Sequence, residues 1–321
     1  MNLIPEWKTD TVTLVLPNIL MEYYHEYLRD LDNFYANFLI EIAKHDRVIC
    51  LVPDCDYVKK MVKLTNLDQS IFEIANVEDI WIRDFAPIQS DQGYLKFIYD
   101  PDYDDTLDYE SFEDSFRNYL KKSINHSGNT SFINLKLDGG NFVHNGKGTA
   151  IVTEKLYTQN PHKAKEEINQ IIKAKTVIEK LVVVPTQPGD ITGHIDGMLQ
   201  WIDSDRILIN DYQTQRNDLA SFAEKLDRCL KQQLPEVEKI KIPYFPSDQK
   251  YLGWYDEKGN YMNFLRTKNR VYVPIYNQPE DEVVQEIYTQ IFGDNVSFIE
   301  SGAISKYGGV LHCITWNYLA C

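Results

Sequence analysis

Apolar and polar positions along this chain follow an order of strands and helices. Short apolar runs of strand length occur at residues 11–16 and 47–52. Between them, apolar side chains recur every three to four positions from Leu28 to Ile42, which is typical of one face of an amphipathic helix. The pattern therefore predicts a strand, a long helix and a second strand at the start of the chain.

The same order of elements recurs about five times with a period of roughly sixty residues, although the units share little sequence. Later helices are predicted at residues 57–64, 111–122, 162–174, 218–233 and 280–292. Later strands are predicted at residues 70–74, 94–99, 132–137, 149–153, 181–184, 198–202, 206–209, 237–242, 261–265, 271–275 and 296–300. This alternation predicts an α/β fold.

A doubly wound parallel sheet would show a similar order, but its first strand normally leads into a glycine-rich phosphate loop. Here the first strand runs into Leu16, Pro17 and Asn18, and neither GxGxxG nor GxxxxGK[ST] follows. This lowers the expectation of a nucleotide-dependent enzyme. The length of 321 residues admits two domains or one large α/β domain.

Charge and cysteine content limit which binding partners and which cellular compartment are expected for this chain. The net charge of −15, from 33 basic and 48 acidic residues, disfavours nucleic acid as a partner and suits a cationic small molecule, or simply a solubilising surface. The five cysteines are odd in number and no secretory signal is visible, so we expect a reducing cytoplasm. No apolar run is long enough to cross a bilayer, so no membrane association is expected.

Polar residues collect where predicted strands end, which is where function is commonly carried. The segment WIRDFAP places Trp81 as a flat apolar wall near the Asp84 carboxylate. By itself this segment favours a surface cluster of Arg83 and Asp84 beside a core tryptophan. The segment LDGGNFVH is either a hairpin turn or a turn whose glycines let Asp138 point inward. His144 in it is expected at the surface of a hairpin.

A third segment, GHIDG, contains His194 and Asp196. If it is a strand, its period of two places both side chains on one face, as a base beside an anion. A metal site is the rival interpretation, since His-x-Asp can ligate zinc or iron. It lacks further ligands, because His312 and Cys313 are adjacent and are expected on opposite faces of a strand. We therefore expect no metal.

Cys313 follows two glycines in the segment SKYGGVLHCITW. A cysteine after such a turn is a candidate nucleophile, although most single cysteines are small buried hydrophobic residues. A Cys–His pair alone would suggest acyl transfer, which requires an oxyanion hole rather than several acids. The carboxylates of Asp84, Asp138 and Asp196 beside a thiol suit a planar guanidinium better.

These segments resemble, in order, the motifs of bacterial and plant agmatine deiminases, which are related to bacterial-type peptidyl-arginine deiminases. The matching stretches are WIRDFAP, LDGGNFVHNGKGT, QNPHKAKEEI, GDITGHIDG, YMNF with VPIYNQPEDE, and GGVLHCIT, and PEW near the start is also similar. The resemblance covers essentially the whole chain. GHID together with GGxxHC is fairly specific for the superfamily.

The resemblance implies a five-bladed pseudo-symmetric α/β propeller, the pentein fold, with one catalytic domain over residues 1–321 and no cofactor. It implies hydrolysis of agmatine to N-carbamoylputrescine and ammonia, a step of polyamine biosynthesis. Cys313 would be the nucleophile, His194 the general acid and base, and Asp138 the acid that orients the histidine. Asp84 and Asp196 would hold the guanidinium, and Trp81 would line its site.

The chain departs from the family pattern at four places. Asp138 stands where a glutamate is usual, Ala86 and Tyr307 replace glycines, and Trp316 with Asn317 replaces a pair of glutamines. A deiminase of free or peptidyl arginine therefore remains an alternative function. An amidinotransferase and a non-catalytic guanidine-binding protein are less favoured alternatives. A homodimer is open as an alternative to a monomer.

Overall fold

Strands and short helices alternate throughout the computed structural model, which describes residues 2–19, 21–75, 77–101, 116–117, 119–120, 129–212, 217–251 and 253–320. The strands are β1 (Thr11–Val15), β2 (Arg47–Val52), β3 (Phe72–Ile74), β4 (Ile88–Ser90), β5 (Gly93–Ile98), β6 (Asn129–Lys136), β7 (Val143–His144), β8 (Thr149–Thr153), β9 (Lys180–Val184), β10 (Leu199–Trp201), β11 (Arg206–Asp211), β12 (Glu238–Pro243), β13 (Lys250–Tyr251), β14 (Trp254–Tyr255), β15 (Leu265–Arg266), β16 (Val271–Ile275), β17 (Val296–Glu300) and β18 (Thr315–Tyr318).

The α-helices are α1 (Leu28–Ala43), α2 (Cys55–Thr65), α3 (Ile82–Phe85), α4 (Lys155–Thr158), α5 (Lys165–Lys175), α6 (Asn217–Gln233), α7 (Glu280–Phe292) and α8 (Gly302–Ser305). Short 3-10 helices occupy Glu6–Lys8, Glu22–Tyr27, Gln69–Ile71 and Gly139–Asn141. The helix predicted at 111–122 lies mostly outside the described residues. In the described part of the chain, none of the helices combines the length and apolar character that crossing a membrane requires.

Five mixed sheets of the described residues share one strand pattern, an antiparallel pair followed by a parallel pair. Four have three strands, in the orders β4-β5-β6, β7-β8-β9, β10-β11-β12 and β15-β16-β17, and the fifth has the order β18-β1-β2-β3. β13 and β14 form a separate hairpin. Parallel neighbours need a crossover connection, which α1, α2, α6 and α7 supply within their units. The α/β class predicted from the sequence is confirmed.

The apolar run of β1 is continuous because this strand lies inside its sheet. β1 pairs in parallel with β2 and antiparallel with β18, and all five of its residues are buried. A strand covered on both faces has no polar face to show. The pairing with β18 brings the segment before this strand, which contains Cys313, against the beginning of the chain.

The prediction of a strand at 261–265 is wrong for most of its length, since β15 begins only at Leu265. Tyr261, Met262 and Phe264 are nevertheless fully buried. Their carbonyl groups accept hydrogen bonds from side chains instead of a strand partner: Gln200 Nε2 donates to Met262 and Phe264, and Tyr288 donates to Tyr261. Because the backbone groups are satisfied this way, an apolar run can be buried without joining a sheet.

Candidate active site

Cys313 lies in a turn immediately before β18, not in a strand. The expectation that His312 and Cys313 point to opposite faces of a strand is therefore wrong. The His312 ring contacts the Asp196 carboxylate through Nδ1 at 2.6 Å, and the Cys313 sulfur lies 3.9 Å from the same carboxylate oxygen. A turn lets two neighbouring side chains converge, which a strand does not allow.

His194 and Asp138 form a buried hydrogen-bonded pair. His194 Nε2 lies 3.0 Å from Asp138 Oδ2, and Asp138 is fully buried. The shorter acid at position 138 thus reaches the imidazole, with Gln159 Nε2 donating to the same oxygen at 3.3 Å. Burial alone would raise the pKa of Asp138, but the hydrogen bond with His194, the charges of His194 and Lys155 and the hydrogen bond from Gln159 together outweigh burial and lower that pKa.

Asp84 is a buried acid rather than part of a surface cluster, which corrects the interpretation favoured by its segment alone. It lies in α3, and its side chain is only 4% exposed. Its Oδ1 accepts a hydrogen bond from the Gly140 N–H at 2.8 Å and lies 3.6 Å from His194 Nδ1. Burial, together with the Asp138 and Asp196 carboxylates, raises the pKa of Asp84 to about 7.

The three acids also act on the imidazole. Burial alone would lower the pKa of His194, but the carboxylates of Asp84, Asp138 and Asp196 outweigh burial and raise it to about 9. His194 therefore favours the imidazolium form at neutral pH. Nε2 faces Asp138, which leaves Nδ1 on the side of Asp84.

His194 and Asp196 do share one site, although they lie in the loop before β10 and not in a strand. The Asp196 N–H donates to the Gly140 carbonyl at 3.1 Å. This hydrogen bond joins the loop to the 3-10 helix Gly139–Asn141. A hairpin turn was one of the two structures predicted for that segment. Convergence was predicted correctly, but for the wrong geometric reason.

Gly140 is required because the acids approach its backbone closely. A Cβ at this position would lie 2.7 Å from both Asp84 Oδ1 and His194 Nδ1, and 3.2 Å from Asp196 Oδ2. Such distances are shorter than real Cβ contacts, so any side chain here would displace the groups around it. The glycine allows close approach and not an unusual turn.

Trp81 lies against the cysteine turn. A Cβ at Gly309 would lie 2.5 Å from Trp81 Cζ3 and 3.1 Å from Cys313 Cβ. The ring therefore rests on the Gly309 backbone, next to the turn that contains Cys313. Its backbone N–H donates to Asp79 Oδ1 at 3.0 Å, and Asp79 accepts at its other oxygen from Tyr99.

Asn263 contacts the sulfur, a role that the sequence analysis missed. Its Nδ2 donates to Cys313 Sγ at 3.2 Å, and its Oδ1 accepts from the N–H groups of His312 at 3.1 Å and of Cys313 at 3.3 Å. Burial and the Asp196 and Asp84 carboxylates raise the pKa of the Cys313 thiol, which this donor opposes. Its membership in YMNF was the available signal.

His144 is not an exposed hairpin residue as predicted. It does lie in an antiparallel pair, with Ala150 as its partner, but it is partly buried and lines a cavity together with Glu6 and Arg83. Burial and the Arg83 guanidinium outweigh the Glu6 carboxylate and lower the pKa of His144 to about 4.

The two aromatic departures from the family pattern are packed side chains. Tyr307 is 5% exposed and meets Tyr24 and Tyr251 edge to face. Trp316 is 3% exposed, donates from Nε1 to the Pro87 carbonyl at 2.9 Å and packs on Tyr318. Neither ring hydrogen-bonds Cys313 in the contacts described here.

His194, Asp196 and Cys313 line a common pocket, whose other lining residues include Asp190 and Glu257. Burial, together with Asp190, raises the pKa of Glu257 to about 8. Within the described ranges, no group of three or more histidine, cysteine, aspartate or glutamate side chains has an arrangement that could hold a metal ion. The pocket is therefore acidic and contains one thiol and one imidazole.

Buried carboxylates beside a thiol can bind a cationic amidine and hold its carbon close to a nucleophilic sulfur. Residues 2–318 match the sequence model of the Porphyromonas-type peptidyl-arginine deiminase family. The chain belongs to this family, which confirms the resemblance seen in its motifs. It is thereby placed among hydrolases of the C–N bonds of linear amidines.

Individual relatives are distant in sequence. The agmatine deiminase of Pseudomonas putida is 24% identical in an alignment of length 319 that covers 85% of this chain and 83% of that protein. The agmatine deiminase of Ectopseudomonas mendocina is 25% identical in an alignment of length 205 that covers 56% of each protein.

Solved structures share the fold. A C. jejuni agmatine deiminase superimposes with a TM-score of 0.85 at 20% identity and covers 98% of this chain and 95% of its own. A dimethylarginine dimethylaminohydrolase from Pseudomonas aeruginosa is more distant, with a TM-score of 0.56 at 12% identity over 97% of this chain and 100% of its own. At such identities the likeness concerns the fold alone.

Proposed function

We propose that this chain hydrolyses agmatine to N-carbamoylputrescine and ammonia through a covalent intermediate on Cys313. One observation carries the proposal: the Cys313 sulfur lies 3.9 Å from the Asp196 carboxylate in a pocket that His194 also lines. A thiol beside buried carboxylates suits a carbon electrophile that carries positive charge.

The lining of the pocket favours agmatine over arginine. It includes Asp190 and Glu257, and the described lining includes no lysine or arginine. The ammonium group of agmatine would favour the ionised form of Glu257 and donate hydrogen bonds to it, whereas the described lining offers no cationic side chain to pair with the α-carboxylate of arginine. Peptidyl arginine, after which the family is named, is the second candidate.

In the first half of the reaction, Asp84 and Asp196 bind the guanidinium and place its carbon against the Cys313 sulfur. The substrate cation favours the thiolate, and the thiol proton leaves to solvent. The sulfur forms a bond to the guanidinium carbon. His194, as imidazolium held by Asp138, protonates one nitrogen, and the C–N bond breaks to release ammonia. A cationic S-alkylthiouronium remains.

In the second half, the neutral His194 takes a proton from water. The resulting hydroxide attacks the thiouronium carbon, and the C–S bond then breaks to return the thiolate. Loss of one further proton leaves the ureido product. An amidinotransferase would require an amine in place of this water, and a binding protein would not need the thiol.

The proposal includes the finer architecture. We infer a ring of five α/β blades, supported by the shared strand pattern of the five sheets. Residues 1–321 would form one catalytic domain. The site groups come from segments adjoining different sheets, as expected for a site near the axis of such a ring.

Product analysis tests the function. The protein is incubated separately with agmatine, arginine and a blocked arginyl peptide, and ammonia and ureido product are measured. We expect release from agmatine. Release from the peptide alone would move the assignment to protein modification, and release from none of the three would refute hydrolysis.

Cys313→Ser tests the nucleophile. We expect turnover to be lost while agmatine binding is retained, because the hydroxyl fills the space of the thiol but is a much weaker nucleophile. Binding is measured by calorimetry and turnover by ammonia release. Residual turnover close to that of the unmodified protein would exclude Cys313 as the nucleophile.

A further inference from the structure

A string of charged side chains continues from the active site beyond Asp196. His312 contacts Asp196 Oδ2 through Nδ1 at 2.6 Å and Glu6 Oε1 through Nε2 at 2.8 Å. The His312 and Asp196 side chains are each 2% exposed. Glu6 belongs to the 3-10 helix Glu6–Lys8, 306 residues from His312 in the chain.

The hydrogen-bond pattern defines the protonation state of this histidine. Both ring nitrogens face carboxylate oxygens. An ionised carboxylate accepts hydrogen bonds but cannot donate one. A neutral imidazole has a single N–H and would leave one contact without a proton. The imidazolium form satisfies both contacts.

The surrounding charges agree with this form. Arg83 Nη1 lies 3.1 Å from Glu6 Oε1, so the charges alternate from Arg83 through Glu6 and His312 to Asp196. Burial and Arg83 lower the pKa of His312, but Glu6 and Asp196 outweigh them and raise it. Burial would raise the pKa of Glu6, but His312 and Arg83 lower it to about 2.

We propose that His312 and Glu6 are positioning residues that hold the Asp196 carboxylate toward the substrate guanidinium and the Cys313 sulfur. His312 serves as a permanent cationic donor to Asp196, and Glu6 serves as the anion that keeps His312 charged. Neither residue touches the substrate in this role.

The arrangement solves a problem created by the site itself. Three acids share one buried volume, and an acid crowded by others resists ionisation, as the raised pKa of Asp84 illustrates. The His312 cation in contact with Asp196 Oδ2 offsets part of that negative charge before the substrate arrives.

The protonation of His312 can be read without any substrate. In ¹⁵N-histidine-labelled full-length protein, the His312 signals are assigned by their loss in His312→Gln. We expect both ring nitrogens to be protonated at about pH 7.5, since the two facing carboxylates favour the imidazolium form. A single protonated nitrogen at this pH would overturn the proposal.

Agmatine binding tests the consequence for the site. In the Cys313→Ser background, Glu6→Gln should weaken agmatine binding roughly tenfold. Loss of the Glu6 charge lowers the pKa of His312, so the alkaline loss of binding should begin about one pH unit lower. Other groups facing His312 or its partners are Arg83, Asp196 and His144, and His194 also titrates in the alkaline range.

His144→Gln is the matched control, because His144 lines the same cavity beside Glu6 and Arg83 but does not contact Asp196 in the described contacts. We expect its binding curve to stay within twofold of the parent. A purely structural role for Glu6 would lower the melting temperature of Glu6→Gln without moving the pH curve, and that result would overturn the proposal.

The binding arm rests on the proposed function. Failure of the parent protein to bind agmatine would count against that function, and the ¹⁵N measurement would then decide on His312 alone. If Glu6→Gln does not fold, the ¹⁵N measurement on the unsubstituted protein still tests the proposal.

Discussion

At the scale of single residues, the Cys313 sulfur accepts a hydrogen bond from a neutral amide. Asn263 donates to Cys313 and accepts from two backbone N–H groups of the same turn. One side chain thus shapes the turn and supports a negative charge on the sulfur. Asn263→Asp separates these roles, because it keeps the accepting oxygen and replaces the donor with an anion.

We expect Asn263→Asp to raise the thiol pKa of Cys313 by about one unit or more, since a nearby like charge disfavours the thiolate. Alkylation of Cys313 by iodoacetamide should therefore require higher pH, as measured by peptide mass spectrometry. The exposed Cys55 in the same sample is the internal control. An unchanged alkylation profile would show that the amide does not support the thiolate.

The residues predicted from sequence were those with reactive or charged groups in segments that follow predicted strands. Cys313, His194 and the three acids carry such signals, and the structure brings them together. Asn263, His312 and Glu6 could not be assigned, because an amide in an apolar run and a histidine beside a cysteine have many ordinary structural roles. Their roles depend on contacts between distant parts of the chain.

At the scale of elements, the 3-10 helix Gly139–Asn141 is the floor against which Asp84, His194 and Asp196 pack. The two structures predicted for this segment were a hairpin turn and a turn that lets Asp138 point inward. They differ in the direction of the Asp138 side chain, and the 3-10 helix directs that side chain to His194. Turn chemistry alone does not separate a hairpin from a helical turn, since both begin with Asp-Gly.

Gly140→Ala should lower kcat/KM for agmatine by about 100-fold, because misplacement of catalytic groups by about 1 Å has effects of this size. The added methyl would meet Asp84 and His194 at 2.7 Å. Steady-state kinetics and the melting temperature are measured together.

Gly302→Ala is the matched substitution outside the site. Its Cβ would approach only the end of the Glu300 side chain, at 2.9 Å, which can move aside. Its kinetics should stay within twofold of the unmodified protein. Equal losses in both variants would mean that Gly140 acts through general stability.

At the scale of the whole molecule, the titration of the site depends on groups from several sheets. Asp84 has a pKa of about 7 and must be ionised to bind guanidinium, so kcat/KM should rise through this value. His194 has a pKa of about 9 and in the proposed mechanism must be protonated to give its proton to the departing nitrogen, so kcat/KM should fall above this value. Because the acids and the imidazole interact, the acidic and alkaline limbs of this pH profile report apparent pKa values of the coupled groups and not of single residues.

The profile is measured with agmatine at constant ionic strength from about pH 5 to about pH 11. A profile that is flat below about pH 8 would mean that Asp84 is already ionised in the free protein. A profile without an alkaline limb would remove His194 as the acid for the departing ammonia.

The α/β class and most strand positions were predictable, since β2, β8, β16 and β17 have the predicted bounds. Three-dimensional pairing was not predictable from periodicity, which describes each element alone. Likewise, the apolar run 261–264 was predicted as a strand because of its composition. The sequence pattern does not show that side chains, and not a neighbouring strand, donate hydrogen bonds to its carbonyl groups.

The pairing of β18 with β1 also sets the order in which the protein matures during synthesis. β18 leaves the ribosome after all the other strands described here, and Glu6 must wait for His312 across 306 residues. Contacts so distant along the chain form late, because loop closure must precede them. The contacts around Cys313 are therefore the last part of the candidate site to form.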